Sequence, residues 1–206
     1  MHVLLINGSP HEKGCTYTAL SLVAGELNAA GITTEILNVG TKPVGGCIGC
    51  GGCAKGNGCV FGGVVNEAIE KARTADAFVF GTPVHYASAS GNMTSFMDRL
   101  AYAGGKYLAY KPAAICASAR RAGTTTTLDQ LVKYPEFFHM PLVSGSYWPM
   151  VHGSKPEQVL EDDEGCAVMR ELGRNMAWLL KCIELGKANG ITHPENPRRP
   201  MTNFIR

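Results

Sequence analysis

Apolar residues fall along this chain in two alternating kinds of run. Short continuous runs end at Gly, Pro or Asn, and longer stretches repeat their apolar positions every three or four residues. His2 to Ile6 is apolar on both faces and stops at Asn7-Gly8, which predicts a buried parallel strand. Leu20, Val23 and Leu27 line one face of a helix over residues 16 to 30, closed by Gly31. Thr34 to Val39 reads as a second strand. Val65, Ala68, Ile69 and Ala72 mark a helix ending near Thr74. Ala77 to Phe80 reads as a third strand, stopped by Gly81-Thr82-Pro83. Met93, Phe96, Met97 and Leu100 define a helix over Asn92 to Tyr102, and Ala113 to Ala117 a fourth strand. A short helix follows through Leu128, Leu131 and Val132, then a fifth strand from Pro141 to Ser144. The last helix is long, with Met169, Leu172, Met176, Leu179, Leu180 and Ile183 on one face.

Strands alternating with helices require a parallel sheet covered on both sides. The reading is α/β, a doubly wound five-stranded sheet in the order 2-1-3-4-5. Ligands of such sheets bind at the strand carboxyl ends, at the switch between strands one and three. Residues 1–190 form one domain carrying a Cys-rich loop, 45–63, and residues 191–206 a C-terminal extension. That extension holds Pro194, Pro197, Arg198, Arg199 and Pro200 and reads as extended, either mobile or wrapped on a neighbouring subunit.

Composition narrows the function. A hydrophobic content of 45% with 17% charged residues is that of a soluble globular protein. A formal charge of +2 is too mild to bind nucleic acid by electrostatics alone. No apolar run nears the roughly 18 residues that span a membrane. Residues 1–6 lack the basic start of a signal peptide, so a cytoplasmic location is expected. In that reducing compartment clustered cysteines bind metal or carry redox chemistry rather than disulfides.

Two stretches carry chemistry. Gly8-Ser9-Pro10-His11-Glu12-Lys13-Gly14-Cys15-Thr16-Tyr17-Thr18 runs from the first strand into a helix. Backbone N–H groups at a helix start, with hydroxyls beside them, suit a phosphate dianion. Ser9, Thr16 and Thr18 supply hydroxyls, and His11 and Lys13 positive charge. Neither a P-loop nor a dinucleotide fingerprint is present, which favours a single phosphate. An ordinary β–α turn with a threonine cap is the plainer alternative. The second stretch has four cysteines, Cys47, Cys50, Cys53 and Cys59, within thirteen residues, interleaved with glycines. Two successive two-residue spacings resemble ferredoxin runs that wrap an iron–sulfur cluster. Structural zinc more often uses two separated pairs.

The Gly-Ser-Pro loop resembles that of the NADPH-dependent FMN reductase group within the flavodoxin-like superfamily. Gly81-Thr82-Pro83-Val84-His85-Tyr86, followed by Ser88, Ser90, Gly91 and Phe96-Met97-Asp98-Arg99, resembles the group's second flavin loop and the helix after it. Ser118 to Thr124 takes the place of a third loop. The resemblance spans residues 1 to about 150. It implies a flavodoxin-like fold and an FMN site drawn from Ser9, His11, Gly14, Cys15, Thr16, Thr18, Pro83, Val84, His85, Tyr86, Ala87, Ser118, Arg120, Arg121 and Gly123. Pro83, Val84 and Tyr86 would wall the ring, and Arg120 or Arg121 would place charge near its N1 and O2. Core packing for Tyr86 and solvated turns for the arginines are the alternatives. Many relatives carry arginine where this chain has His11, which implies a weaker or pH-dependent phosphate contact.

The cysteine spacing resembles the iron–sulfur flavoprotein branch of the same group. That branch implies a 4Fe-4S cluster on Cys47, Cys50, Cys53 and Cys59, beside the flavin in homodimers or homotetramers. Thiols lining the flavin pocket without a cluster are the alternative. The expected function is an FMN-dependent oxidoreductase, with electrons coming from NAD(P)H or a ferredoxin-like protein. They pass to a small-molecule acceptor: a quinone, flavin, azo or nitro compound, or oxygen. The flavin itself does the chemistry, so no catalytic side chain is expected. Two rivals stand: a non-enzymatic electron carrier that exchanges electrons with protein partners, and a zinc-bearing binding module without flavin.

Overall fold

The computed structural model describes residues 1–56, 58–197 and 200–204. Asn57 of the Cys-rich loop and Arg198 and Arg199 of the extension lie outside the described residues.

The strands are β1 (His2–Asn7), β2 (Thr33–Asn38), β3 (Ala77–His85), β4 (Ser88–Ala89), β5 (Ala113–Ala119) and β6 (Met150–His152). The helices are α1 (Cys15–Ala29), α2 (Val64–Thr74), α3 (Gly91–Gly104), α4 (Thr124–Phe137), α5 (Pro156–Leu160) and α6 (Asp163–Ala188). The main sheet runs β2-β1-β3-β5-β6, parallel throughout, and β4 adds a short antiparallel pair to β3. Counting parallel strands alone, this is the expected order of a flavodoxin-like sheet.

Alternation along the strands divides the core in two. Leu4, Ile6, Phe78, Phe80 and Ile115 face α2, α3 and α4, while Val3, Leu5, Val79, Ala114 and Val151 face α1 and α6. Both faces are dry, which explains why the central strands read as continuous apolar runs. Each such Val, Leu, Ile or Phe side chain contributes about 1.5–3 kcal/mol on burial.

Three elements depart from the sequence reading. β3 does not stop at Gly81 but continues to His85, pairing with β5 as far as Pro83↔Ser118. β1 ends opposite Gly81 and β4 pairs only from Val84, so Pro83 has a strand partner on the β5 side alone and a proline is tolerated there. The fifth strand lies at Met150–His152, not at Pro141–Ser144. Leu142 makes a single bridge to Ala113, after which residues 144–149 swing outward and the chain returns at Met150 opposite Ala117. Polar anchoring to α6 explains the excursion: Asn175 donates to the Ser144 carbonyl, and Ser146 donates to Glu171. Finally, α4 is a full 14-residue helix rather than a short one, with Pro135 confined to its last turn.

The extension carries no helix or strand among its described residues. Its start lies on its own chain, where His193 stacks on Tyr110 at 4.4 Å and Asn196 donates to the Tyr110 hydroxyl. No helix is long and apolar enough to cross a membrane among the described residues.

α6 lies close against α1 because Gly173 has no side chain. A Cβ there would sit 2.7 Å from the Val23 carbonyl oxygen and 2.8 Å from Glu26 Cβ. Gly173→Val is therefore expected to cost about 1–3 kcal/mol through overpacking, despite valine's better helix propensity. Thermal unfolding should show Tm several degrees lower; an unchanged Tm would show that the two helices have slack.

Candidate functional site

Three segments meet at the carboxyl ends of β1, β3 and β5. The first turns on Asn7, whose side chain is fully buried. Its Nδ2 donates to the Glu12 carbonyl at 3.1 Å and to Asn38 Oδ1 at 2.8 Å, and its Oδ1 accepts the Ser9 N–H at 3.1 Å. These bonds hold the loop against the ends of β1 and β2. Ser9, also buried, accepts the His11 N–H on its hydroxyl at 3.1 Å. Gly8 donates its N–H to the Gly81 carbonyl at 2.8 Å, and the Ser90 hydroxyl donates to the Gly8 carbonyl at 2.8 Å.

α1 begins at this loop with Gly14 as its cap residue, no side-chain cap and no acid in its first turn. α4 begins the same way at Gly123, again uncapped and acid-free. Two helix starts with no side-chain cap and no acid in their first turns present N–H groups that give this region positive potential. α3, by contrast, is capped by Ser90, which accepts the Met93 N–H.

The predicted residues separate into two groups. Ser9, Gly14 and Thr16 line the turn into α1, and the Thr16 hydroxyl is hydrogen-bonded to that of Ser118 at 2.8 Å, which joins the first loop to β5. Val84, Ala87 and Gly123 pack together: a Cβ on Gly123, at φ +94, would lie 2.7 Å from Ala87 Cα and 2.9 Å from Val84 Cγ1. Pro83 stands in register with Ser118. The side chains of His11, His85, Tyr86, Arg120 and Arg121 stand at the exposed rim. Cys15 and Thr18 each have a partner within the chain. The Cys15 thiol donates to the Gly153 carbonyl, with burial pushing its pKa up, and the Thr18 hydroxyl donates to the Gly14 carbonyl.

Tyr86 and Ala87 are the central residues of a two-residue hairpin between β3 and β4. Both are left-handed, at φ 50 and 57, and Tyr86 is fully exposed rather than packed in the core. Such positions normally take Asn or Gly, and a non-glycine residue there costs of order 1–3 kcal/mol. α4 supports the strain: Gln130 Oε1 accepts from the Ser88 hydroxyl and the Ala89 N–H, and the Thr126 hydroxyl donates to the Ala87 carbonyl. Sequence reasoning did not single out Gln130, Thr126 or Asn7. Only the position of Asn7 at a strand end hinted at its task.

The Cys-rich loop folds beside this region. Cys47, Cys50, Cys53 and Cys59 all line one cavity of about 230 Å³, with Ile48, Phe61, Arg99 and Tyr102 around them. Cys53 rides on a single 3-10 turn, Gly52–Lys55, flanked by left-handed Gly51 and Gly56. Cys59 is gripped through its backbone by Asn66, whose amide accepts the Cys59 N–H at 2.8 Å and donates to its carbonyl at 3.0 Å. Asn92 pins the approach to the loop, donating to the Gly40 and Lys42 carbonyls and accepting the Val44 N–H. Among the described residues no three His, Cys, Asp or Glu side chains converge on the position of a single metal ion. Four thiols on one cavity are the donor type that an iron–sulfur cluster takes, one at each of its separate corners.

Comparison with known proteins places this geometry in context. The family model described as NADPH-dependent FMN reductase matches residues 1–155. An iron-sulfur flavoprotein of Methanocaldococcus jannaschii is 29% identical over 193 residues, which cover 89% of this chain and 100% of that protein. One from Archaeoglobus fulgidus is 30% identical over 196 residues, covering 91% of this chain and 96% of the relative. Among solved structures, a flavodoxin from the domain Archaea superposes with a TM-score of 0.60 at 12% identity, covering 88% of this chain and 99% of that one. At that identity the likeness concerns the fold.

The tightest backbone approach in the site is at Gly40, where a Cβ would lie 2.2 Å from the Ser9 carbonyl oxygen and 2.6 Å from that of Gly8. Gly40→Ala must therefore push the loop off β2. The expected result is a loss of about 1–3 kcal/mol in denaturant unfolding and weakened FMN binding. Titration with FMN that showed wild-type affinity would contradict this picture of the loop.

Proposed function

The chain belongs to the NADPH-dependent FMN reductase family, in its iron–sulfur flavoprotein branch, and from that membership we propose that it is an FMN-dependent oxidoreductase with a 4Fe-4S cluster beside the flavin. Electrons come from NAD(P)H or a ferredoxin-like protein and pass to a small acceptor such as a quinone, a flavin, an azo or nitro compound, or oxygen. The observation that carries this reading is the meeting of three loops at two uncapped, acid-free helix starts, next to a cavity lined by all four clustered cysteines.

In this reading the N–H groups at the start of α1, with the hydroxyls of Ser9 and Thr16, hold the phosphate. His11 adds charge from the rim. The strained hairpin 83–87 lies along the ring, and the start of α4 with Ser118, Gly123 and either Arg120 or Arg121 attends its polar edge. When bound, FMN supplies one- and two-electron redox chemistry at N5, and the protein orients it and excludes water from one face. Cys47, Cys50, Cys53 and Cys59 hold the cluster, which supplies single-electron transfer. Free thiols suit a reducing, cytoplasmic setting.

A second reading, a carrier exchanging electrons only with proteins, is favoured by one feature. Cys47 and Cys50 are exposed, and Ile48, Val60 and Phe61 around them are more than half exposed. An apolar rim of this kind suits a protein partner, including a second copy in a homodimer or homotetramer.

Anaerobic purification tests the cofactors. The expected protein has flavin absorption near 450 nm, a broad shoulder near 400 nm and about four irons per chain. Cys50→Ser should at least halve the iron without removing the flavin. A preparation that takes up no flavin would sink the reading. In replete protein, NAD(P)H oxidation with a quinone acceptor should be catalytic; negligible turnover would discard the reductase and leave the carrier.

A further inference from the structure

Arg99 lies in the middle of α3 and is only 6% exposed. A guanidinium is always charged, and burying it without an anionic partner costs several kcal/mol. Among the described residues no carboxylate pairs with it. The adjacent acid, Asp98, instead accepts a hydrogen bond from the Tyr134 hydroxyl at 2.5 Å. The donors of Arg99 all go to the Cys-rich loop. Nε points at Cys59 Sγ at 3.2 Å, Nη1 donates to the Gly45 carbonyl at 3.3 Å, and Nη2 to the Gly62 carbonyl at 3.0 Å. Phe61 covers the group from the side, its ring centroid 5.6 Å from the guanidinium carbon.

Those three acceptors are the two ends of the loop and one of its four thiols. The contact to sulfur is the only one of the three that offers the cation a group able to carry negative charge. We propose that Arg99 is the positioning residue of the cysteine site, holding Gly45 to Gly62 as a closed frame and directing a charged N–H at the Cys59 sulfur. The proposal rests on the reading of this loop as the cluster site. Its chemistry follows from the fork shape of arginine. Three donors in one plane can bridge two carbonyls and a sulfur at once, which a lysine ammonium on a flexible stem cannot do while reaching all three. A cation hydrogen-bonded to a ligand sulfur stabilises the more negative, reduced state of a cluster and so raises its reduction potential.

Two measurements on Arg99→Lys, Arg99→Gln and Arg99→Met test this, with FMN binding and Tm confirming that each variant is folded. The first is hydrogen exchange of the amides of residues 45–62 in iron-free protein. All three variants should exchange about tenfold faster there than wild type, with no change in β1, β3 or β5. The second is redox titration of the anaerobically reconstituted protein. The cluster potential should fall in Arg99→Gln and Arg99→Met, while Arg99→Lys, which keeps the charge, stays nearer to wild type. Unchanged exchange in Arg99→Gln and Arg99→Met would overturn the frame. Equal potentials in all four proteins would overturn the directed charge. If wild-type protein accepts no iron, the cluster reading of the loop and the directed charge fail with it, and the exchange data alone decide whether Arg99 holds the frame.

Discussion

The site depends on one buried amide. Asn7 ends β1 beside the first loop and the end of β2, and its buried side chain bonds to both. It accepts the Ser9 N–H and donates to both the Glu12 carbonyl and Asn38, while its backbone carbonyl accepts the Val39 N–H at 2.9 Å. Leaving such buried groups unpaired would cost about 1–3 kcal/mol each, so the amide fixes the loop rather than merely filling space. Its neighbours follow from that choice. Gly8 must be small to approach Gly81 and Met93, and Gly40 must be bare to pass over Ser9. A loop held this way is tied to β1 and β2 by its own chain, and the start of α1 is carried with it.

The same division of labour recurs on the β3 side. Tyr86 and Ala87 sit in a backbone region that L-residues avoid, and the hairpin cannot hold them there unaided. The bonds from Gln130 and Thr126, and the bare Gly123 beneath Ala87, transfer the task to α4. The strain is maintained by a supporting helix, and the full exposure of Tyr86 is at odds with a core-packing role for it.

What the sequence made legible was whatever had a period or a spacing. The apolar faces of α1, α2, α3 and α6 were plain because each covers a dry sheet. The cysteines were plain because their spacing is uncommon, and the Gly-Ser-Pro turn because a strand ended just before it. The extension of β3 was hidden by Gly81 and Pro83, which signal a stop unless the neighbouring strand is known to have ended. The true fifth strand was hidden because its three residues follow Trp148-Pro149, whereas the more strand-like Leu142-Val143 makes one bridge and leaves. Inward-facing polar residues were the least visible. Asn66, Asn92, Arg99 and Gln130 sit on amphipathic helices, where a polar residue looks like solvent-facing surface until its acceptors, loops far away in sequence, are in place.

Three of those four residues belong to one mechanical arrangement. α3 starts at Ser90, whose hydroxyl holds Gly8, and nine residues later, roughly 13 Å along its axis, it presents Arg99 to the Cys-rich loop. Asn92, between them, fixes the segment that leads into that loop, and Asn66 on the adjoining α2 holds its far end. The phosphate loop and the cysteine loop are therefore both referred to a single helix whose apolar face is locked in the core. Electron transfer between two centres is sensitive to their separation, and loops left to themselves would let that separation wander. Under the proposed function, α3 is what joins two loops distant in sequence into one redox site, and the buried cation on it is the element that makes the second loop answer to the first.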